Sequence, residues 1–399
     1  FSRAIELDPE QAQARINRAT ILSMLGRPDE ALTEISRVLD ADPDNHQGLL
    51  IRAAILADQN RFDAALLDLN RVIELDPTNA KALAGRGQLL RETGSCDPAL
   101  VDLQHAVELE PSTGWIWRER GDTLFRMGRY REALADFDRA IDLNPSDEWA
   151  QVRRGQAHIE LVRYPEALVD FDRAIELGSG DAWTLAQRGE VYRLLKRYDE
   201  ALPDLNRAIE MDPKAARAFA SRGAALRQME KFRLALADLT RSIELDPANA
   251  WVFAQRAEAY RSLGRLDDAL NDCTRAIDLA PETGWRRFAR ARVLHALGDL
   301  PQALEDLRAA SELAAVEPAN EQVNWRRRLN LALFRLCLGQ GSEAEDLYEQ
   351  AIAGSESTLY LEEALQDLLE SEDVFQDPAL AARVIERLRA VLDGSPSLR

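Results

Sequence analysis

The chain has 399 residues, of which 46% are hydrophobic and 30% charged, a balance typical of folded proteins and not of disordered ones. Its net charge of -19 argues against nucleic acid as a general partner, because binding phosphates requires a basic surface. No apolar run approaches the roughly 18 residues of a membrane span, and the first residues do not form a signal peptide. We therefore expect a cytoplasmic protein that does not bind membranes.

Prolines recur along the chain at spacings of 34 or 68 residues, with Ser179 at the one skipped position. They are Pro9, Pro43, Pro77, Pro111, Pro145, Pro213, Pro247 and Pro281. A fixed period of this length indicates a repeat array. Nine repeats, numbered 1 to 9 below, begin at Ala12, His46, Ala80, Gly114, Glu148, Ala182, Ala216, Ala250 and Gly284.

Each repeat carries two apolar-periodic stretches of helical length. The break between them falls at position 15, often a glycine, and the second stretch ends at an Asp-Pro or Asn-Pro pair that stops a helix. Position 20 is alanine in all nine repeats, and position 8 is glycine or alanine. Small residues at these positions predict two closely packed helices in each repeat.

This pattern resembles the tetratricopeptide repeat, which has small residues at positions 8, 20 and 27 and proline at position 32. Repeat 4 shows it best, with Trp117, Gly121, Leu124, Ala133, Phe137 and Pro145 on the family positions. The resemblance implies an all-α fold, a right-handed α-solenoid of 34-residue helix-turn-helix repeats. It also implies a non-catalytic scaffold that binds a protein or peptide segment in its concave groove.

Three regions follow from the alignment. Residues 1–11 match the C-terminal end of a truncated upstream repeat, because Phe1, Ala4 and Pro9 fall on positions 24, 27 and 32. Residues 12–317 contain the nine tandem repeats. Residues 318–399 are expected to form a degenerate repeat and a C-terminal helical cap, with the last two helices near 356–371 and 377–392.

One departure from the family pattern is an arginine at position 7 of every repeat, together with an acidic residue at position 23. We predict that these side chains pair as a structural ladder, since a guanidinium fits a carboxylate at a partly buried helix junction. The alternative is that the arginines bind an anionic ligand along the array. The central pairs are Arg120 with Asp136, Arg154 with Asp170, Arg188 with Asp204, and Arg222 with Asp238.

In the family, positions 2, 5, 9, 12 and 13 line the groove. Tryptophan and arginine are frequent at binding hot spots, so such residues at these positions are candidates for contacting a segment of acidic character. Each indole could equally pack on the preceding helical hairpin, and both interpretations stay open. The candidates are Trp115, Trp149, Trp183, Trp251, Trp285, Phe125, Arg193, Arg227, Arg261, Glu190 and Glu258.

The residues show no pattern of a catalytic, metal or cofactor site. A second functional hypothesis starts from the truncated first repeat and the arginine-rich, bacterial-type composition. Long arrays of this kind resemble the sensor or autoinhibitory arms of larger bacterial signalling or defence effectors, such as STAND nucleotidases or caspase-like peptidases. Under that hypothesis an effector domain precedes Phe1 in the same polypeptide.

Overall fold

A computed structural model describes residues 11–316, 325–354 and 358–394. The described chain is all-α, and it divides into two compact units, Phe1–Leu195 and Lys196–Arg399. The helices of the N-terminal unit, α1 to α11, are Ala12–Met24, Pro28–Ala41, His46–Asp58, Phe62–Leu75, Ala80–Glu92, Cys96–Leu109, Gly114–Arg126, Tyr130–Leu143, Glu148–Glu160, Tyr164–Leu177 and Ala182–Leu194.

The C-terminal unit begins within repeat 6. Its helices α12 to α22 are Tyr198–Met211, Ala216–Gln228, Phe232–Leu245, Ala250–Ser262, Leu266–Leu279, Gly284–Ala296, Leu300–Ala315, Trp325–Cys337, Gly341–Gly354, Thr358–Leu369 and Pro378–Gly394, with a short 3-10 turn at Glu372–Val374. Between residues 12 and 315 a pair of helices recurs every 34 residues. The prediction of an all-α helical-repeat fold is therefore confirmed.

The turn inside each repeat has one backbone conformation. Position 15 is left-handed in all nine repeats, with a φ of 71° at Gly26 and 73° at Gly128. The amide of Gly26 donates to Ser23 and that of Arg27 to Leu22, which satisfies the last carbonyls of α1. Four repeats place another residue there, including the β-branched Val162 at 61°. The other three are Asn60, Lys196 and Glu230.

The turn between repeats caps the following helix. The side-chain oxygens of Asn79 and Asp147 accept hydrogen bonds of 3.0 Å from the amides of Ala82 and Ala150. Such caps satisfy amides that have no partner inside the helix. The Asp-Pro and Asn-Pro pairs therefore end one helix while the residues after them begin the next.

Close approach of the paired helices explains the small residues. A Cβ atom added to Gly121 would lie 2.8 Å from the ring of Phe137, and one added to Gly223 would lie 2.8 Å from Leu239. The nine alanines at position 20 are all buried. The packing therefore requires small residues where the sequence has them.

Four helices lie in the described part of the C-terminal region. Trp325–Cys337 and Gly341–Gly354 lie where the degenerate repeat is predicted, and Thr358–Leu369 and Pro378–Gly394 follow. The amide of Leu380 donates to the side chain of Asp377 at 2.9 Å, as expected of an N-cap. The truncated repeat predicted at residues 1–11 and the boundary predicted at 317/318 fall almost wholly outside the described residues.

Candidate functional site

The predicted ladder residues form charge-assisted hydrogen bonds between the two helices of a repeat. In the N-terminal unit, Arg120 donates from Nε and Nη2 to both carboxylate oxygens of Asp136, at 2.7 and 2.6 Å. In the C-terminal unit, Arg222 contacts Asp238 with two bonds of 2.7 Å. Arg154 holds Asp170 through Nη2 at 2.5 Å. The fork of each guanidinium thus joins the two helices of its repeat.

A third helix takes part in the ladder, which was not predicted from the sequence. The remaining Nη1 group of Arg154 donates to Asp138 of the preceding repeat at 2.7 Å, and Arg222 donates to Asn206 at 2.8 Å. Position 25 supplies this acceptor. Polar residues recur at this position, which was the available signal: Asn70, Gln104, Asp138, Asp172, Asn206 and Thr240.

Burial and pairing act in opposite directions on the ladder residues. Burial raises the pKa of Asp136 and Asp170, although Arg120 and Arg154 donate hydrogen bonds that act in the opposite direction. Burial acts to lower the pKa of Arg154, but its bonds to Asp170 and Asp138 outweigh it and raise that pKa. Removing one partner would leave the other charge buried, and that would be more costly than the intact pair.

The predicted ladder pair of Arg188 with Asp204 has its two residues in different units. Arg188 donates to Asp172 at 2.7 Å within the N-terminal unit, and Asp204 is buried in the C-terminal unit.

The five candidate tryptophans fall into two groups. Trp149 and Trp183, both in the N-terminal unit, are 45% and 40% exposed. Trp115 and Trp251 are partly buried against apolar clusters of their own units. Trp285 packs on Phe288 and Phe334, with ring centroids 5.1 and 6.3 Å apart. Only the first group offers a large apolar surface to a ligand.

Trp149 borders a groove of about 480 Å³ on the first helices of repeats 3, 4 and 5. We call this the N-terminal groove. Its lining contains four arginines and three carboxylates, for a formal charge of +1 in a chain of -19. The lining residues are Gln88, Arg91, Glu92, Arg118, Glu119, Asp122, Arg126, Trp149 and Arg153.

The floor of the N-terminal groove is a buried charge network. Nη2 of Arg91 lies 3.0 Å from Oε2 of Glu119, and Nε of Arg153 lies 2.9 Å from Oδ1 of Asp122. Neither contact has the alignment of a hydrogen bond, and Oε2 of Glu119, Oδ1 of Asp122 and Nε of Arg153 have no hydrogen-bond partner within the protein. Burial raises the pKa of Asp122 despite Arg153 and Arg91. These two contacts at the floor are therefore ion pairs without aligned hydrogen bonds.

The rim of the groove is more basic than its floor. Arg126 is 41% exposed and meets Glu92 at 3.1 Å. Arg118 contacts Asp147 at 3.0 Å, and Arg153 lies over the Trp149 ring at 4.8 Å. Glu119 and Arg153 stand at position 6, which lay outside the family's groove positions and was not predicted. Three guanidinium groups therefore surround the opening beside a half-exposed indole.

The remaining candidates in the N-terminal unit make local contacts. Phe125 packs edge-on against Tyr130, with centroids 5.2 Å apart. Arg193 holds Glu190 within α11 through two hydrogen bonds of 2.8 and 2.6 Å. This pair is a compact ion pair on one helix face.

The candidates in the C-terminal unit are linked to each other and to the cap. Arg227 donates to Gln255 at 3.0 Å, and Arg261 to Glu258 at 2.9 Å. Burial acts to raise the pKa of Glu258, but Arg292, Arg261 and Arg227 outweigh it and lower that pKa. Arg292 also donates to the backbone oxygen of Glu370. In the C-terminal unit, the charged side chains at the equivalent repeat positions therefore contact one another, a glutamine and the backbone of the same unit.

Other kinds of site find little support in the described ranges. No group of three or more His, Cys, Asp or Glu side chains there is arranged to hold a metal ion. Cys273 and Cys337 are buried, and burial raises the pKa of the Cys273 thiol. None of the helices within residues 11–316, 325–354 and 358–394 is both long and apolar enough to cross a bilayer.

Comparison with known families identifies the repeat. Four models described as tetratricopeptide repeat match residues 1–55, 50–107 and 118–182, 182–215, and 239–271. Together they cover more than half of the chain. The chain belongs to the tetratricopeptide repeat family. No curated protein sequence matches it.

Solved structures with a similar fold include YrrB, described as a tetratricopeptide repeat protein with an unusual peptide-binding site. It is 24% identical over 49% of this chain and 97% of its own, with a TM-score of 0.39. Yeast Tom70 is 16% identical over 96% of both chains, with a TM-score of 0.44. PilF of Pseudomonas aeruginosa is 17% identical over 52% and 94%, with a TM-score of 0.48. At these levels the matches carry no argument about function.

Proposed function

We propose that this protein is a non-catalytic scaffold that binds a segment of another protein in the N-terminal groove. One observation carries the proposal: Trp149 is half exposed beside a groove lined by four arginines and three carboxylates. Family membership supports it, because tetratricopeptide repeats are protein-interaction modules. The candidates predicted from the sequence lie in repeats 4 to 9, whereas the N-terminal groove lies on repeats 3 to 5.

The packing of the indoles supports this choice of surface. Tryptophan and arginine are both enriched at binding hot spots, where an aromatic ring buries a large contact area. Trp183 stands at the same position one repeat further along and is also exposed. Trp251 and Trp285 are partly covered by their own unit and offer less surface.

The experiment is a peptide display selection on the purified chain, followed by fluorescence anisotropy of the synthesised binders. Changing Trp149 and Trp183 together to alanine should weaken binding at least tenfold and leave the helical circular dichroism unchanged. The matched control changes Val101 and Val169 to alanine, since they are 70% and 66% exposed on the second helices, away from the groove. Equal affinities for wild type and the tryptophan variant would refute the proposal.

A further inference from the structure

The distribution of charge in the N-terminal groove indicates which ligand it would hold. Its carboxylates Glu119 and Asp122 lie at the floor, only 6% and 3% exposed, beneath Arg91. Arg118, Arg126 and Arg153 keep 25%, 41% and 20% of their side chains exposed. The carboxylates beside them at the rim are Glu92, which is 36% exposed, and Asp147, which is only 9% exposed. An approaching ligand therefore meets a local excess of positive charge on an otherwise acidic protein.

Arg126 can exchange its present partner for a ligand at low cost. The pair of Arg126 with Glu92 is exposed, with 41% and 36% of the two side chains accessible, and exposed pairs contribute little stability. Arg118 and Arg153 keep 25% and 20% of their side chains exposed while they contact Asp147 and Asp122. A ligand carboxylate would therefore replace the partner of Arg126 and add to the existing contacts of the other two arginines.

The exposed ring of Trp149 adds a second requirement for the ligand. Arg153 covers one face of the Trp149 ring at 4.8 Å, yet 45% of Trp149 remains exposed. This surface suits an apolar side chain next to the acidic one. Three neighbouring helices at spacings of about 10 Å span about 20 Å, which corresponds to about six residues of extended peptide.

We propose that the N-terminal groove binds an internal acidic segment of a partner protein, with a carboxylate side chain between Arg126 and Arg153 and an apolar side chain against Trp149. This inference rests on the proposed function and specifies its ligand.

The test uses the tightest display-selected peptide, acetylated and amidated so that it carries no terminal charge. Its Asp and Glu residues are replaced by Asn and Gln in one version and by Lys in another. The chain carries Arg126→Glu or, as the matched control, Arg129→Glu. Both arginines are 41% exposed and paired with a glutamate, so the two variants change the net charge equally.

We expect at least a tenfold loss of affinity when the acidic residues of the peptide are neutralised, and a similar loss with Arg126→Glu. Arg129→Glu should change affinity less than twofold, and the Lys peptide should bind Arg126→Glu more tightly than wild type. Equal effects of Arg126→Glu and Arg129→Glu, or selected peptides without acidic residues, would overturn the inference. If the tryptophan dependence persisted in that case, the proposed function would stand and only the acidic ligand would be rejected.

Discussion

The two units place the same repeat positions in different surroundings. In the N-terminal unit, Trp149 is half exposed beside a groove whose buried charges are incompletely hydrogen-bonded. In the C-terminal unit, Trp285 joins an aromatic layer with Phe288 and Phe334, and Arg292 is bound by the backbone of Glu370. A repeat position therefore does not by itself make a binding surface, because later repeats can use the same side chains for packing.

The largest expected difference between the two units is the loss of unfolding free energy when Trp285 or Trp149 is replaced by alanine. Trp285→Ala should destabilise the chain by about 3 kcal/mol, because it leaves a cavity against Phe288 and Phe334. Trp149→Ala should cost less than about 1 kcal/mol, because its ring is half in solvent. Urea unfolding followed by circular dichroism measures both, and equal costs would show that the two surroundings do not differ.

The ladder should behave alike in both units. Double-mutant cycles to alanine at Arg120 and Asp136, and at Arg222 and Asp238, should each give a coupling energy of about 2 kcal/mol. The exposed pair Arg129 and Glu132 should give less than about 0.5 kcal/mol. Absence of coupling in either ladder pair would remove the structural interpretation of that pair.

The cap adds a pH dependence to the C-terminal unit. Burial, with Glu370 and Glu363 nearby, raises the pKa of Asp367 from 3.8 to about 7, although Arg292 and Arg326 oppose the shift. The folded state then binds more protons than the unfolded state between these values, so this carboxyl makes stability fall as pH rises through that window.

Asp367→Asn should therefore stabilise the protein by about 2 kcal/mol at pH 8, after allowance for partial solvent access, and by little near pH 4. Chemical unfolding at the two pH values measures the difference. Glu362→Gln, on the exposed side of the same helix, is the control and should show no such difference. A gain that is independent of pH would contradict this origin.

The smallest expected effect concerns the groove itself. Arg126→Glu should change the free energy of unfolding by less than about 0.5 kcal/mol, because the pair with Glu92 is exposed. A larger loss in urea unfolding would mean that Arg126 supports the fold, and its effect on peptide binding could then not be assigned to the ligand.

The sequence predicted most of the fold and part of the site. The 34-residue period placed every helix between residues 12 and 315, since proline, position-15 turns and helix caps act locally. Positions 7 and 23 are 16 residues apart in every repeat, and this spacing predicted that Arg120 and Asp136 face each other across one hairpin. The last helices are less regular: Thr358–Leu369 ends two residues before the predicted limit, ahead of a 3-10 turn.

The sequence by itself determined the helix pairs, their small-residue contacts and the residues facing across each hairpin, because these depend on interactions within 34 residues of chain. Only the tertiary structure decided that Trp149 is exposed while Trp285 is packed, and that Arg154 also reaches Asp138 of the preceding repeat. Exposure depends on side chains that neighbouring repeats contribute, and the repeat pattern does not specify those side chains. The charges of the N-terminal groove come together for the same reason, from three separate repeats.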